Sequence, residues 1–221
     1  MPCRGCRPRS ALAICPRSLS PRPVLEACPH MAGERGRPVL VFVSGAVRSG
    51  KSKWAESYAL FLAGEKNNLV YIATARADDQ EMLHRVALHK AARKNKGFET
   101  LERSTDVGGA AALLPPDATV LLECLGTLLA NEMFDLPPSR RQALNPPPFS
   151  YVQKIFDEIL SLRDRAAHLL VVSNDLFSDG IAYDESMENY RRALGALHVK
   201  LAGAAELAVE CVAGLPIVHK L

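Results

Sequence analysis

Between positions 45 and 52 the chain reads Gly45-Ala46-Val47-Arg48-Ser49-Gly50-Lys51-Ser52. Two glycines five positions apart, followed at once by lysine and serine, leave little choice of local structure. Glycine is needed where successive backbone N–H groups converge on an anion with no Cβ in the way. The flanks agree: Val39–Val43 is a continuous apolar run, and Lys51–Ala63 has helical patterning with Trp54, Tyr58, Phe61 and Leu62 assigned to one face. A strand, a glycine-rich turn and a helix N-terminus in that order form a phosphate-binding loop. All eight residues of the loop are expected to contact a nucleoside triphosphate. Lys51 would reach the β- and γ-phosphates, and the Ser52 hydroxyl would ligate Mg²⁺.

The rest of the chain repeats the alternation. Leu69–Ala73, Phe98–Glu102, Thr119–Leu122 and Leu169–Val172 read as short strands, and Leu207–Val212 and Ile217–Val218 close the chain. Glu81–Lys90, Asp106–Leu114, Leu125–Phe134 and Phe149–Ala166 read as helices, the second of them weak and ended by Pro115-Pro116. Met187, Tyr190, Leu194, Leu197 and Leu201 step by 3-4-3-4, an amphipathic helix. Continuous apolar runs separated by helices imply strands buried on both faces, hence an α/β domain with a mostly parallel sheet flanked by helices. Ligand sites in such domains lie at the C-terminal edge of the strands. Pro137–Pro148 is expected to be a proline-rich loop.

The ends differ in character. Residues 1–37 hold seven arginines, no lysine, two glutamates and six of the fifteen prolines. That composition predicts a disordered extension, with Met31 as an alternative start, and a domain over 38–221. Without the extension the charge of +3 becomes a surplus of acidic residues, 22 against 20 basic. Nucleic-acid binding, which wants a basic footprint, is therefore not expected. No apolar run approaches the ~20 residues that span a bilayer. Cys3-Arg-Gly-Cys6 lacks a second pair at zinc spacing, and Cys124 and Cys211 stand alone, so a reducing cytoplasm is expected.

Glu123 ends the run Thr119–Leu122. A carboxylate at the C-terminal end of a buried strand is placed to complete the Mg²⁺ shell with Ser52. Asp175, following Leu169–Val172, is the competing carboxylate. Glu81, Arg85 and His89 share a face of their helix at i, i+4, i+8, but that spacing alone does not distinguish His89 from His84 or His168.

The motifs resemble those of the bifunctional adenosylcobinamide kinase/adenosylcobinamide-phosphate guanylyltransferases of cobalamin biosynthesis. The resemblance rests on Arg48-Ser49-Gly50-Lys51-Ser52, Tyr71-Ile72-Ala73-Thr74, and Glu81-Met82 with Arg85-Val86 and His89-Lys90. It continues through Leu121-Leu122-Glu123-Cys124-Leu125, Asn131, Val172-Ser173-Asn174-Asp175, Tyr190-Arg191, Gly195 and Leu201-Ala202, and so covers residues 39 to about 214. It implies a RecA-like P-loop NTPase fold and a homo-oligomer. It implies phosphorylation of the aminopropanol hydroxyl of adenosylcobinamide, a corrinoid, with ATP or GTP as donor. GMP from GTP then passes to that phosphate through a histidine–GMP intermediate, giving adenosylcobinamide-GDP. By position His89 matches the guanylylated histidine, a residue type that is a good nucleophile when neutral near pH 7. The resemblance also implies nucleotide contacts from Ala73, Thr74, Ala75, Lys90, Arg93 and Glu102.

The chain reads as a divergent member. Ala46 stands where the family usually has a second loop glycine, and Lys94 where it tends to have proline. Asn174-Asp175-Leu176-Phe177 and His198-Val199 also depart from its pattern. Two alternatives remain at this stage: a kinase-only enzyme acting on a cobinamide or another small alcohol, and a non-catalytic P-loop module.

Overall fold

The computed structural model describes residues 39–64, 68–76, 96–134, 148–177 and 180–221. Strand β1 (Val39–Gly45) leads into helix α1 (Lys51–Ala63), followed by β2 (Leu69–Ala73) and β3 (Phe98–Glu102). A 3₁₀ segment (Val107–Leu113), β4 (Thr119–Glu123), α2 (Leu125–Phe134) and α3 (Pro148–Arg165) come next. The chain ends with β5 (His168–Asn174), α4 (Glu185–Ala204), β6 (Leu207–Val212) and β7 (Leu215–Lys220).

The seven strands form one sheet in the order β3-β2-β4-β5-β1-β6-β7. Every pairing is parallel except β6–β7, which is an antiparallel hairpin. This is the α/β architecture, a mostly parallel sheet flanked by helices, expected from the alternation of apolar runs and helices. The central strands read as unbroken apolar runs because both faces are covered. Leu40, Phe42, Leu122, Leu169 and Val171 pack with α2, α3 and α4 on one side. Val41, Val43, Leu121, Leu170 and Val172 pack with α1 on the other.

Helix ends follow local chemistry. The Asp184 carboxylate accepts the Met187 N–H at 2.8 Å, and Glu185 and Glu188 put negative charge in the first turn of α4. Proline at the first position of α3 forfeits only an N–H that has no helical partner.

Three expectations need correction. Residues 107–113 form a 3₁₀ segment and not an α-helix, since Gly108-Gly109 lowers helix propensity and supplies no apolar period. Pro148 belongs to helix α3 and not to the preceding loop. On α1 the buried face is Trp54, Ala55, Tyr58 and Ala59, whereas Phe61 is exposed. Residues 1–37, Glu81–Lys90 and most of the proline-rich loop lie outside the described residues. Among the described residues no helix is long and apolar enough to cross a membrane.

Candidate active site

The C-terminal edge of the sheet gathers the loops that follow β1, β2, β4 and β5. Residues Gly45 to Gly50 turn tightly from β1 into α1. Ser49 donates its N–H to the Ala46 carbonyl at 3.2 Å, and the Lys51 ammonium reaches the same carbonyl at 3.3 Å. Lys51 is buried, its stem covered, while Ala46, Val47 and Arg48 are exposed at the tip. Gly45 is obligatory for a packing reason: a Cβ there would lie 2.5 Å from the Cys211 carbonyl oxygen and 2.6 Å from Ser49 Oγ. Ser49 Oγ is itself buried with no hydrogen-bond partner. Leaving a hydroxyl so costs about 1–3 kcal/mol, and a phosphate oxygen in the loop would relieve it.

Strand β5 lies between β1 and β4, so β4 stands two strand spacings, about 10 Å, from the strand that feeds the loop. Helix α1 crosses that gap. It packs over β4 and β5, and its first turn brings the Ser52 hydroxyl into hydrogen-bond contact with Glu123 Oε1. The other carboxylate oxygen, Oε2, accepts from the Tyr71 hydroxyl at 2.9 Å. Two hard oxygen donors meeting beside a lysine are a fitting set for Mg²⁺, which favours oxygen ligands and shares its shell with substrate phosphates. Asp175 is committed elsewhere: its carboxylate accepts the Phe177 N–H at 2.9 Å, and its own N–H binds the Gly45 carbonyl. Of the two competing carboxylates, Glu123 is the one in contact with Ser52.

The neighbouring loop is braced by Thr74. Its hydroxyl donates to the Cys124 carbonyl at 2.9 Å and accepts the Cys124 N–H at 2.8 Å, and the residue is fully buried. Its side chain therefore ties the ends of β2 and β4 together, while Ala73 lines the strand end and Ala75 is exposed. Asn131 on α2 clamps the two adjacent loops, donating to the carbonyls of Thr74 and Ser104 at 2.9 Å each. Glu102 ends the edge strand β3 opposite Ala73, four strand spacings from β1, which is about 19 Å along the sheet edge. It is thus remote from the phosphate loop. His89, Lys90 and Arg93 lie outside the described residues.

Tyr71 and Asn131 acquire their contacts only through the fold. Both stand in motifs recognised in the sequence, yet nothing in their spacing shows what they touch. The signal for Tyr71 appears once the register is known. It pairs with Leu121, two residues before Glu123, and a tyrosine spans such a diagonal.

A family model described as cobinamide kinase / cobinamide phosphate guanyltransferase matches residues 41–219. A bifunctional adenosylcobalamin biosynthesis protein, CobU of Escherichia coli K12, is 29% identical over 81% of this chain and 98% of its own length. Its counterpart CobP of Pseudomonas aeruginosa is 32% identical over 79% of this chain and 94% of its own. Among solved structures, the flagellar accessory protein FlaH of Methanocaldococcus jannaschii aligns over 88% of this chain and 84% of its own at 10% identity, with a TM-score of 0.43. With the match running across nearly the whole described domain, this chain belongs to the cobinamide kinase / cobinamide phosphate guanyltransferase family.

Proposed function

We propose that this chain carries out both reactions of its family on adenosylcobinamide: phosphorylation of the aminopropanol hydroxyl, then transfer of GMP from GTP to the new phosphate. The observation that carries the reading is the contact between Ser52 on the phosphate-loop helix and Glu123 at the end of β4. That pairing is what phosphoryl transfer from a metal-bound nucleoside triphosphate requires.

In the kinase step the backbone N–H groups of the loop hold the phosphates, and Lys51 places its charge beside the γ-phosphate. Ser52 and Glu123 would hold Mg²⁺, which when bound neutralises charge between the β- and γ-phosphates. Tyr71 holds the carboxylate through Oε2 and so keeps Oε1 turned toward Ser52. Such catalysis is positioning and electrostatic stabilisation, and it asks the protein for no covalent intermediate.

In the guanylyl step His89 is the proposed nucleophile. A neutral imidazole nitrogen attacks the α-phosphate of GTP, forming an N–P bond as the bond to pyrophosphate breaks. The phosphate of the cobinamide then displaces the histidine. Lys90, Arg93, Ala75 and Glu102 are the proposed contacts for this nucleotide, away from the phosphate loop. The proposed setting is a reducing cytoplasm, in keeping with the free thiols of Cys124 and Cys211. A homo-oligomer is part of the same reading.

The test uses GTP labelled at the α-phosphate, with Mg²⁺, followed by denaturing electrophoresis. An acid-labile, alkali-stable label on the wild type and none on His89→Ala supports the guanylyl half. A parallel assay follows the γ-phosphate onto adenosylcobinamide. Lys51→Ala should abolish that transfer and leave the label on His89. Absence of label on the wild type, with phosphorylation retained, leaves a kinase only.

A further inference from the structure

The phosphate loop is held from behind by a part of the chain far from it in sequence. Strand β6 runs parallel to β1 with Cys211 opposite Gly45, then turns back into β7. The turn is made by Ala213 and Gly214, both with positive φ, 49° and 84°. The Gly214 N–H does not point into the hairpin: it donates to the Ser49 carbonyl at 2.9 Å. Ser49 is thus held at both ends of its backbone, its N–H by Ala46 and its C=O by Gly214.

The consequence lies in one peptide plane. The Ser49 C=O and the Gly50 N–H belong to the same planar trans unit and point in opposite directions. Turning the carbonyl toward the β6–β7 turn turns the Gly50 N–H the other way, away from that turn. A hydrogen bond to the carbonyl also polarises the peptide and makes its N–H a stronger donor. We infer that Gly214 is a positioning residue for triphosphate binding, setting through Ser49 the direction and strength of the Gly50 N–H. Gly214 touches no substrate itself. Its conformation explains the residue type: at φ 84° an L side chain is strained, and the donor would move. The inference rests on the nucleotide-binding reading of this loop and deepens it.

The position allows a test that removes a single atom group. Cys211 is a native ligation point ahead of the turn, so residues 1–210 made as a thioester and a synthetic peptide for 211–221 rejoin into the full chain without a scar. Glycolic acid at position 214 replaces the N–H by an ester oxygen, which removes the donor to Ser49, weakens the Ala213 carbonyl as an acceptor and leaves every side chain in place. The ligated all-amide chain is the control. Inorganic tripolyphosphate, which sees the phosphate cradle alone, and GTP are titrated by calorimetry, and Tm is recorded beside them.

One neutral hydrogen bond corresponds to about a 3- to 10-fold change in an equilibrium constant. The expected result is that both Kd values rise by a common factor of that size, with a cooperative melt retained. A merely structural bond would lower Tm and leave both Kd values within twofold of the control, which overturns the inference. If the ester chain does not fold, the recombinant Gly214→Ala variant decides it: weaker tripolyphosphate binding supports the inference and unchanged binding overturns it. Failure of the all-amide control to bind either ligand overturns the nucleotide reading itself, and this inference with it.

Discussion

The Tyr71 hydroxyl donates a 2.9 Å hydrogen bond to Glu123 Oε2, from a strand position two residues short of the carboxylate's own partner, Ala73. The contact divides the work of the carboxylate. One oxygen is pinned by Tyr71 and the other faces Ser52. Removing the pin alone, in Tyr71→Phe, leaves the metal set intact but free to rotate. The expected outcome is a kinase kcat lower by about 3- to 10-fold, the worth of one hydrogen bond. Glu123→Gln removes the charge itself and should cost about 100-fold or more. Steady-state kinetics at saturating Mg²⁺ check both, and full activity in Glu123→Gln would sink the metal assignment.

Gly45→Ala tests the back wall of the loop. The added methyl would meet the Cys211 carbonyl, which is main chain and has no rotamer with which to yield. Strand β6 or the loop must move. Overpacking of this kind destabilises by about 1–3 kcal/mol, read as a lower urea midpoint. Nucleotide affinity should fall at the same time, because the same displacement carries Ser49 with it. An unchanged midpoint together with unchanged affinity would show that the wall is softer than its geometry implies.

The legibility of this protein follows from how local its determinants are. Val39–Gly45, Leu69–Ala73 and Thr119–Glu123 are buried on both faces, so they read as unbroken apolar runs. The phosphate loop was legible for the same reason: eight consecutive residues carry its motif. Phe61 misleads because a helical face inferred from an aromatic pattern ignores that Ala55 and Ala59 bring α1 closer to the sheet. The 3₁₀ segment, weak by its own Gly108-Gly109, is anchored at its start by tertiary contacts, the Val107 N–H donating to Glu158 and the Asp106 N–H to Glu132. Tyr71, Asn131 and Gly214 were out of reach of local patterning. Each acts across distances of 52, 57, and more residues along the chain, and only the register of the sheet brings their partners near.

Asn131 offers a stability prediction with a built-in control. Its amide nitrogen alone satisfies carbonyls from two loops, those of Thr74 and Ser104. Asn131→Ala leaves both without this donor and is expected to cost about 1–3 kcal/mol. Asn131→Asp is nearly isosteric but sets a carboxylate against two carbonyl oxygens, so it should be the worse of the two despite its better fit. Denaturant melts at pH 7 rank them. The reverse order would mean that packing of the side chain, and not its donor, holds the two loops.

His198 provides a pH dependence whose sign is fixed by its surroundings. Its ring stands edge-on to Phe42 and Phe177 at 5.0 and 5.2 Å, and Nε2 shares a 2.7 Å hydrogen bond with Ser173 Oγ. Burial pushes its pKa down from 6.5 to about 4, against a smaller upward pull from the Asp175 carboxylate. The folded state therefore keeps the ring neutral where the unfolded chain already binds a proton. Above pH 6.5 neither state is charged and the group has no effect. As pH falls from 6.5 toward 4 the unfolded state gains a proton that the folded state refuses, and stability is lost. The full loss is about 3 kcal/mol. His168, whose pKa burial also lowers, contributes to the same window with the same sign. The informative quantity is accordingly the difference between the wild type and His198→Gln, which retains a polar group toward Ser173. Urea melts from pH 7 to pH 4 should show the variant losing less stability than the wild type across that range. Parallel curves would mean that His198 is protonated in the folded protein, with the Asp175 carboxylate outweighing burial.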